Sequence, residues 1–288
     1  MNNTVQFKIA DIVVAVTGNG SCPPLGLHPS YRRFQTAGAG PHISLQVQVG
    51  DIPPLPYGEK LFESGGSWSL YRHQDRYLVP QIFSGKNGAT RLAVMNSDFS
   101  GGDLYLRPEE LGPPYFDPIE YPLDEVIMIN FLGRGRLGLN LHALGLEDDG
   151  RGLLFSGVSG AGKSTMAQLW QDSGAILLSD DRIIVRPENR RFWIYGTPWM
   201  GDARISDPKR APLTRLYFLE KANHNYATPL SRAEAAVRLL VRCFPPFYDP
   251  GSMEYTLELV DRIAAGVPCY ELGFVPAAGV VDFVRRLL

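Results

Sequence analysis

Residues Gly157-Val158-Ser159-Gly160-Ala161-Gly162-Lys163-Ser164 fit the pattern G-x-x-x-x-G-K-[ST], and no other stretch of the chain restricts the fold as narrowly. The pattern is meaningful between a strand and a helix. Both flanks comply: Gly152-Leu153-Leu154-Phe155-Ser156 reads as a buried strand, and Thr165-Met166-Ala167-Gln168-Leu169-Trp170 as the start of a helix. Glycines in such a turn let successive backbone N–H groups point inward and cradle phosphate oxygens at a helix N-terminus. Lys163 then neutralises the β- and γ-phosphates of a nucleotide, and the Ser164 hydroxyl sits on Mg²⁺. The candidate nucleotide-binding residues are therefore Gly157, Ser159, Gly160, Ala161, Gly162, Lys163, Ser164 and Thr165.

Two further features lie close by. Ala175-Ile176-Leu177-Leu178 reads as a strand that ends in Ser179-Asp180-Asp181. Carboxylates at that position can hold Mg²⁺ through its water shell or accept a proton from a substrate, so Asp180 and Asp181 are candidates for both tasks. His142 lies on the strand-like run Leu137 to Leu144, before the turn Glu147-Asp148-Asp149-Gly150. Pairing of that run with the strand before the loop would bring His142 towards the nucleotide.

The rest of the second half alternates short strands and late helices. Ile183 to Val185, Phe192 to Tyr195 and Leu216 to Leu219 read as strands. Ser231-x-x-Glu234 is a capping box that opens a helix reaching about Cys243. Another helix carries Met253, Leu257, Val260 and Ile263, and after a strand at Cys269 to Val275 a last helix begins near Pro276. Strand runs after Asp181, rather than regularly alternating helices, favour a mixed sheet over the parallel sheet of a common phosphate-loop ATPase.

The first part has a different texture. Phe7 to Val16 reads as one β-branched strand, Ile43 to Val49 alternates strictly, and Trp68–Arg72 with Tyr77–Val79 looks like a hairpin. Arg91–Met95 and Asp103–Leu106 add two short strands. His28, His42 and His73 are scattered and form no constellation. A proline-rich link, Pro113-Pro114 to Pro122, leads into a helix over Leu123 to Leu132. The expected division is 1–120, a β-rich domain, and 121–288, the nucleotide-binding domain.

Composition excludes several classes. With 28 Lys and Arg against 30 Asp and Glu in 288 residues, the chain lacks the basic excess of a nucleic-acid-coating protein. Cys22, Cys243 and Cys269 have no CxxC spacing, so neither a zinc site nor a disulfide framework is expected. No apolar run approaches the roughly 18 residues of a membrane span. The N-terminus has no basic, apolar leader, which points to a cytoplasmic protein with neither nucleic acid nor membrane as partner.

Taken together, His142, the loop Gly157 to Ser164 and the strand ending in Asp180-Asp181 resemble bacterial HPr kinase/phosphorylase. The stretches Gly196-Thr197-Pro198-Trp199, Ser231 to Phe244 and Phe247-Tyr248-Asp249-Pro250 look like HPr-kinase-related proteins, some of which accompany peptide-modification systems. The resemblance covers about residues 137–288. It implies an α/β fold of the phosphoenolpyruvate-carboxykinase kind: an HPr-kinase-like phosphate-loop domain with a mixed sheet flanked by helices, preceded by a β-rich N-terminal domain.

It further implies ATP and Mg²⁺ as cofactors, and transfer of the γ-phosphoryl group to a hydroxyl, most simply a serine, of a peptide, protein or small molecule. Ser164 with Asp180 or Asp181 would hold the metal; the other aspartate, oriented by His142, would be the base. Arg204, or failing it Arg215, would offset charge on the transferring group. Two departures point away from HPr itself as acceptor: Thr165 stands where the family usually has an acid, and Met200-Gly201-Asp202-Ala203-Arg204 replaces its Arg-Gly-Leu-Gly signature. The alternative is an inactive ATP-binding regulatory or accessory module. A homo-oligomer is left open.

Overall fold

The computed structural model describes residues 3–20, 22–81, 89–110, 117–158 and 160–288. Ser159 and the Pro113-Pro114 part of the link lie outside them. The fold is mixed α/β, with two eight-stranded mixed sheets in two compact units, Met1–Gly135 and Arg136–Leu288.

The first unit contains β1 (Thr4–Ile9), β2 (Ile12–Gly18), β3 (Ile43–Val49), β4 (Glu59–Glu63), β5 (Ser69–His73), β6 (Arg76–Gln81), β7 (Arg91–Met95), β8 (Gly101–Leu106) and helix α1 (Leu123–Arg134). The sheet order is β1-β2-β3-β8-β7-β6-β5-β4. β2, β3 and β8 run parallel, and the remaining pairs are antiparallel. Phe7 to Val16, read as a single strand, is instead a hairpin that turns at Ala10 and Asp11, both with φ near the left-handed region (50° and 60°). Such a two-residue turn normally announces itself by Asn or Gly, and neither is present here.

Helix α1 lies in the first unit, not with residues 137–288. Phe7, Ile9, Val14, Ile43 and Leu45 meet Ile119, Ile127 and Met128 across a gap of only about 10 Å³. Tyr31 donates a hydrogen bond to Asp124, and the Arg134 guanidinium lies 4.4 Å from the Tyr77 ring centre. The helix therefore joins the unit whose apolar face it covers.

The second unit contains β9 (Leu139–Asp148), β10 (Arg151–Ser156), α2 (Lys163–Gln171), β11 (Ile176–Ser179), β12 (Arg182–Glu188), β13 (Arg191–Tyr195), β14 (Arg210–Lys221), β15 (Tyr226–Pro229), α3 (Arg232–Leu240), α4 (Pro250–Gly266), β16 (Cys269–Phe274) and α5 (Gly279–Arg285). β10–β14 and β14–β16 are parallel; the other pairs are antiparallel. The pairings β9–β10, β10–β14, β14–β13, β13–β12 and β12–β9 return to their start, so the sheet bends back on itself.

Alternation along the strands builds two cores. Leu139, Leu141 and Ala143 of β9 join Leu216, Phe218 and the α3 and α4 residues Leu239, Leu259 and Ile263 on one face. Leu144 and Leu146 join Phe155, Trp170, Tyr217 and the α5 residues Val280 and Val284 on the other. A period of two explains why one strand serves both cores. Antiparallel pairing also fixes the site: Ser156 stands opposite Ala143, and Arg182 opposite His142.

Candidate functional site

The loop at the end of β10 opens directly into α2. Its N-cap residue, Gly162, has φ 107°, and among the described residues no side chain caps the helix. By contrast α3 opens with a complete Ser231–Glu234 capping box, and the Asp249 side chain accepts from Ser252 N–H at the start of α4. Such caps contribute about 1 kcal/mol each; at α2 the first-turn amides are left for something else. A Cβ added at Gly160 would meet nothing within 4 Å, whereas one at Gly162 would come within 2.7 Å of the Phe274 ring. The turn is thus open on the outside and tight against the core on the inside.

A hollow of about 390 Å³ lies in front of this turn, lined by His142, Gly160, Gly162, Lys163, Ser164, Thr165, Asp180, Asp181, Gly201 and Asp202. It brings together most of the residues singled out from the sequence. Gly157 stands behind the lining, where its carbonyl accepts from Lys163 Nζ at 3.2 Å. Ala161 is buried in the core beside α2. Arg204 is exposed, and the lining includes neither it nor Arg215, whose Nη1 donates to the Thr214 carbonyl at 2.9 Å.

The two aspartates have opposite surroundings. Asp180 is buried, and its carboxylate accepts three backbone hydrogen bonds: Oδ1 from Gly201 N at 3.0 Å and Ile205 N at 3.1 Å, Oδ2 from Ala203 N at 2.7 Å. It pins the loop 201–205. A Cβ on Gly201 would stand 2.8 Å from Asp180 Oδ2 and 3.1 Å from Asp181 Cβ, so glycine is needed for that close approach.

Asp181 is only half-buried and is held by side chains. His142 Nδ1 lies 2.8 Å from Oδ1 and 3.1 Å from the Asp181 carbonyl, and Arg182 Nη1 lies 2.6 Å from Oδ2. With the Nδ1 proton turned to Asp181, Arg182 Nη1, 3.2 Å from that nitrogen, bonds the carboxylate rather than the ring. Burial pushes the Asp181 carboxyl up, but the His142 hydrogen bond and the charges of Arg182, His142 and Lys163 outweigh it and hold the pKa below the ordinary value. Lys163 is shifted down, chiefly by burial and then by Arg242 and Arg182, against the pull of Asp181. Cations crowding one another beside an open helix N-terminus make an environment that an anion would relieve.

Arg182 and Gly201 had no signal of their own in the sequence. Arg182 adjoins the aspartates, but its direction depends on strand register. Phe244 is placed just as indirectly. The segment after α3 runs beside β9, with His142 N donating to Arg242 O at 2.8 Å and Phe244 N donating to Asn140 O at 3.0 Å. This puts the Phe244 ring centre 4.0 Å from the Arg182 guanidinium carbon and 6.4 Å from the His142 ring centre. Phe247 is exposed and touches Tyr248 edge-on.

Among the described residues, no group of three or more His, Cys, Asp or Glu could hold a metal ion. A magnesium ion bound chiefly by phosphate oxygens and water needs only one or two protein oxygens, and the lining of the hollow includes the Ser164 hydroxyl as one of that kind. No helix among the described residues is long and apolar enough to cross a membrane.

Residues 123–244 match the family model of the SynChlorMet cassette protein ScmC. That stretch is less than half of the chain. It includes His142, the loop, both aspartates and Phe244. No curated protein matches the chain. Among solved structures, the chain is similar to the Hpr(Ser) kinase/phosphatase from Coxiella burnetii, at 15% identity and a TM-score of 0.33, over 51% of this chain and 93% of that one.

Proposed function

We propose that the protein is an ATP-dependent kinase that transfers the γ-phosphoryl group to a hydroxyl of a peptide, protein or small molecule. One observation carries this reading: Lys163, at an uncapped helix N-terminus, and Asp181, held by His142, line the same hollow. The amides of the loop and of the first turn of α2 bind the phosphates. Lys163 Nζ leaves the Gly157 carbonyl for the β- and γ-phosphate oxygens. Ser164 would hold a Mg²⁺ ion brought with the nucleotide, which when bound would supply neutralisation of charge on the phosphates.

The acceptor hydroxyl oxygen forms a bond to the γ-phosphorus while the bond to the β-bridging oxygen breaks, and the electron pair leaves on ADP. Asp181 takes the hydroxyl proton, and His142 keeps its carboxylate in place. Asp180 is given neither the base nor the metal role, because its buried carboxylate is committed to three backbone amides that hold the loop 201–205. The hollow's lining includes none of Arg182, Arg204 and Arg215, and Arg182 reaches the base only through its 2.6 Å bond to Asp181. The test is transfer of labelled γ-phosphate from ATP to serine peptides and small alcohols by wild type, Lys163→Ala and Asp181→Asn. Equal transfer by all three would sink the assignment.

A second reading, a nucleotide-binding module without transfer, has one observation in its favour: the Asp181 carboxylate is already engaged by Arg182 and weakened as a base. Calorimetry separates the two. ATP binding with no turnover on any acceptor would favour the module.

A further inference from the structure

We propose that Arg182 and Phe244 form a positioning pair that fixes the Asp181 carboxylate for the acceptor hydroxyl, with the chain segment after α3 as its support. The inference rests on the phosphoryl-transfer reading and adds to it the device that sets the base's geometry. A carboxylate held through one oxygen can still rotate. Here each oxygen has a partner on a different strand: His142 of β9 at Oδ1, 2.8 Å, and Arg182 of β12 at Oδ2, 2.6 Å. Two bonds from two strands fix the plane of the group, and outer lone pairs remain for a proton.

Each partner is in turn held from behind by the same segment. Arg182 lies against the Phe244 ring, 4.0 Å from its centre, a contact in which a planar guanidinium can stack on the ring as a lysine ammonium cannot. The Arg182 carbonyl accepts from Thr197 Oγ1 at 2.7 Å, which anchors its backbone. His142 has its own N–H on the Arg242 carbonyl, two residues from Phe244, and its ring meets Phe244 edge-on. One stretch, Arg242 to Phe244, thus backs both sides of the clamp. Proximity of a reacting pair is sensitive to such support, since misplacement by about 1 Å can cost a hundredfold in rate.

The pair acts as a unit, so its effects on rate should not add. The experiment is a double-mutant cycle on the full chain with Arg182→Lys, Phe244→Leu and the combination, reading kcat and the KM for ATP. Each single change should lower kcat by about tenfold and leave the ATP KM within about twofold. The double variant should match Arg182→Lys within about twofold, because the lysine has already given up the planar contact that Phe244→Leu would remove. Equal further loss from Phe244→Leu in the Arg182→Lys background would overturn the proposal, as would a wild-type kcat for Phe244→Leu.

A second measurement needs no turnover. The downfield Nδ1 proton of His142, identified by its loss in His142→Gln, should be seen by NMR in the unliganded wild type and be lost or broadened in Phe244→Leu. Its persistence unchanged in Phe244→Leu would overturn the clamp. Failure of wild type to phosphorylate any acceptor would instead strike the transfer reading, while the His142 signal still decides the clamp.

Discussion

The two units use similar polar residues to different ends. In the first, buried acids and bases are spent on the fold. Asp117 accepts from His28 N at 2.8 Å and Ile119 N at 3.1 Å, Arg91 donates to the Asp117 carbonyl at 3.2 Å, and Asp124 takes the Tyr31 hydroxyl. In the second, Asp180 also lines the hollow but is bonded by loop amides, whereas its neighbour Asp181 is held there by the side chains of His142 and Arg182, beside Lys163. The lesson concerns accounting for donors. A carboxylate saturated by backbone amides is a structural part, and one held by side chains beside open amides is available for chemistry.

The largest test of that contrast is on transfer. Asp181→Asn and Lys163→Ala should each lower the rate of phosphoryl transfer by about 10²–10⁴-fold with little change in melting temperature. Asp124→Asn in the first unit should do the reverse, lowering the melting temperature by a few degrees with kcat unchanged. Parallel thermal melts and steady-state kinetics check both.

Next in size is Asp180→Ala. It leaves three loop amides without their acceptor, at a cost of roughly 1–3 kcal/mol for each buried group not recovered by water. Chemical denaturation should show a lower midpoint, and proteolysis should cut first within 201–205. Unchanged stability would place Asp180 with Asp181 rather than with Asp117.

Gly162→Ala should cost about 1–3 kcal/mol, since it combines a φ that alanine rarely adopts with a methyl group 2.7 Å from the Phe274 ring. Gly160→Ala has the φ penalty alone and should cost less. Comparing the two by denaturation separates the tight inner face of the turn from its open outer face.

The smallest effect has opposite signs in the two units. Burial raises the Asp117 carboxyl above 3.8, against the pull of the His28 and Ile119 amides and Arg91. As pH falls from above that raised value to about 3.8, the folded state binds the proton first, and Asp117 adds stability. The Asp181 carboxyl is lowered, so its contribution is present above about 3.8 and is lost as pH falls through its folded-state value. Melting curves against pH should therefore flatten on the acid side in Asp181→Asn and lose the gain on acidification in Asp117→Asn. Identical profiles for both variants would refute the contrast.

Much of the site was legible as local pattern. The loop needed glycines at fixed spacing, Asp180-Asp181 followed an apolar run, and His142 sat on an alternating strand, so chain-local rules carried all three to one end of a sheet. The capping box at Ser231 was legible for the same reason. The hairpin at Ala10-Asp11 was not, because its left-handed turn has neither glycine nor asparagine and Asp11 alone is a weak signal inside an apolar run. The short strands β4 and β15 also escaped, being edge strands with weak alternation. Arg204 and Arg215 were singled out and Arg182 was not, because sequence distance says nothing about which arginine a strand register brings to Asp181.

What the sequence determined by itself was the strand–turn–helix with Lys163 and Ser164, since backbone sterics and periodicity act over a few residues. Which aspartate is held by side chains rather than by backbone amides, which arginine meets it, and that a phenylalanine more than sixty residues downstream backs that arginine were decided only by tertiary structure. Those facts depend on antiparallel register between β9, β12 and the segment after α3. A register is a collective outcome of both cores and is not written at any one position.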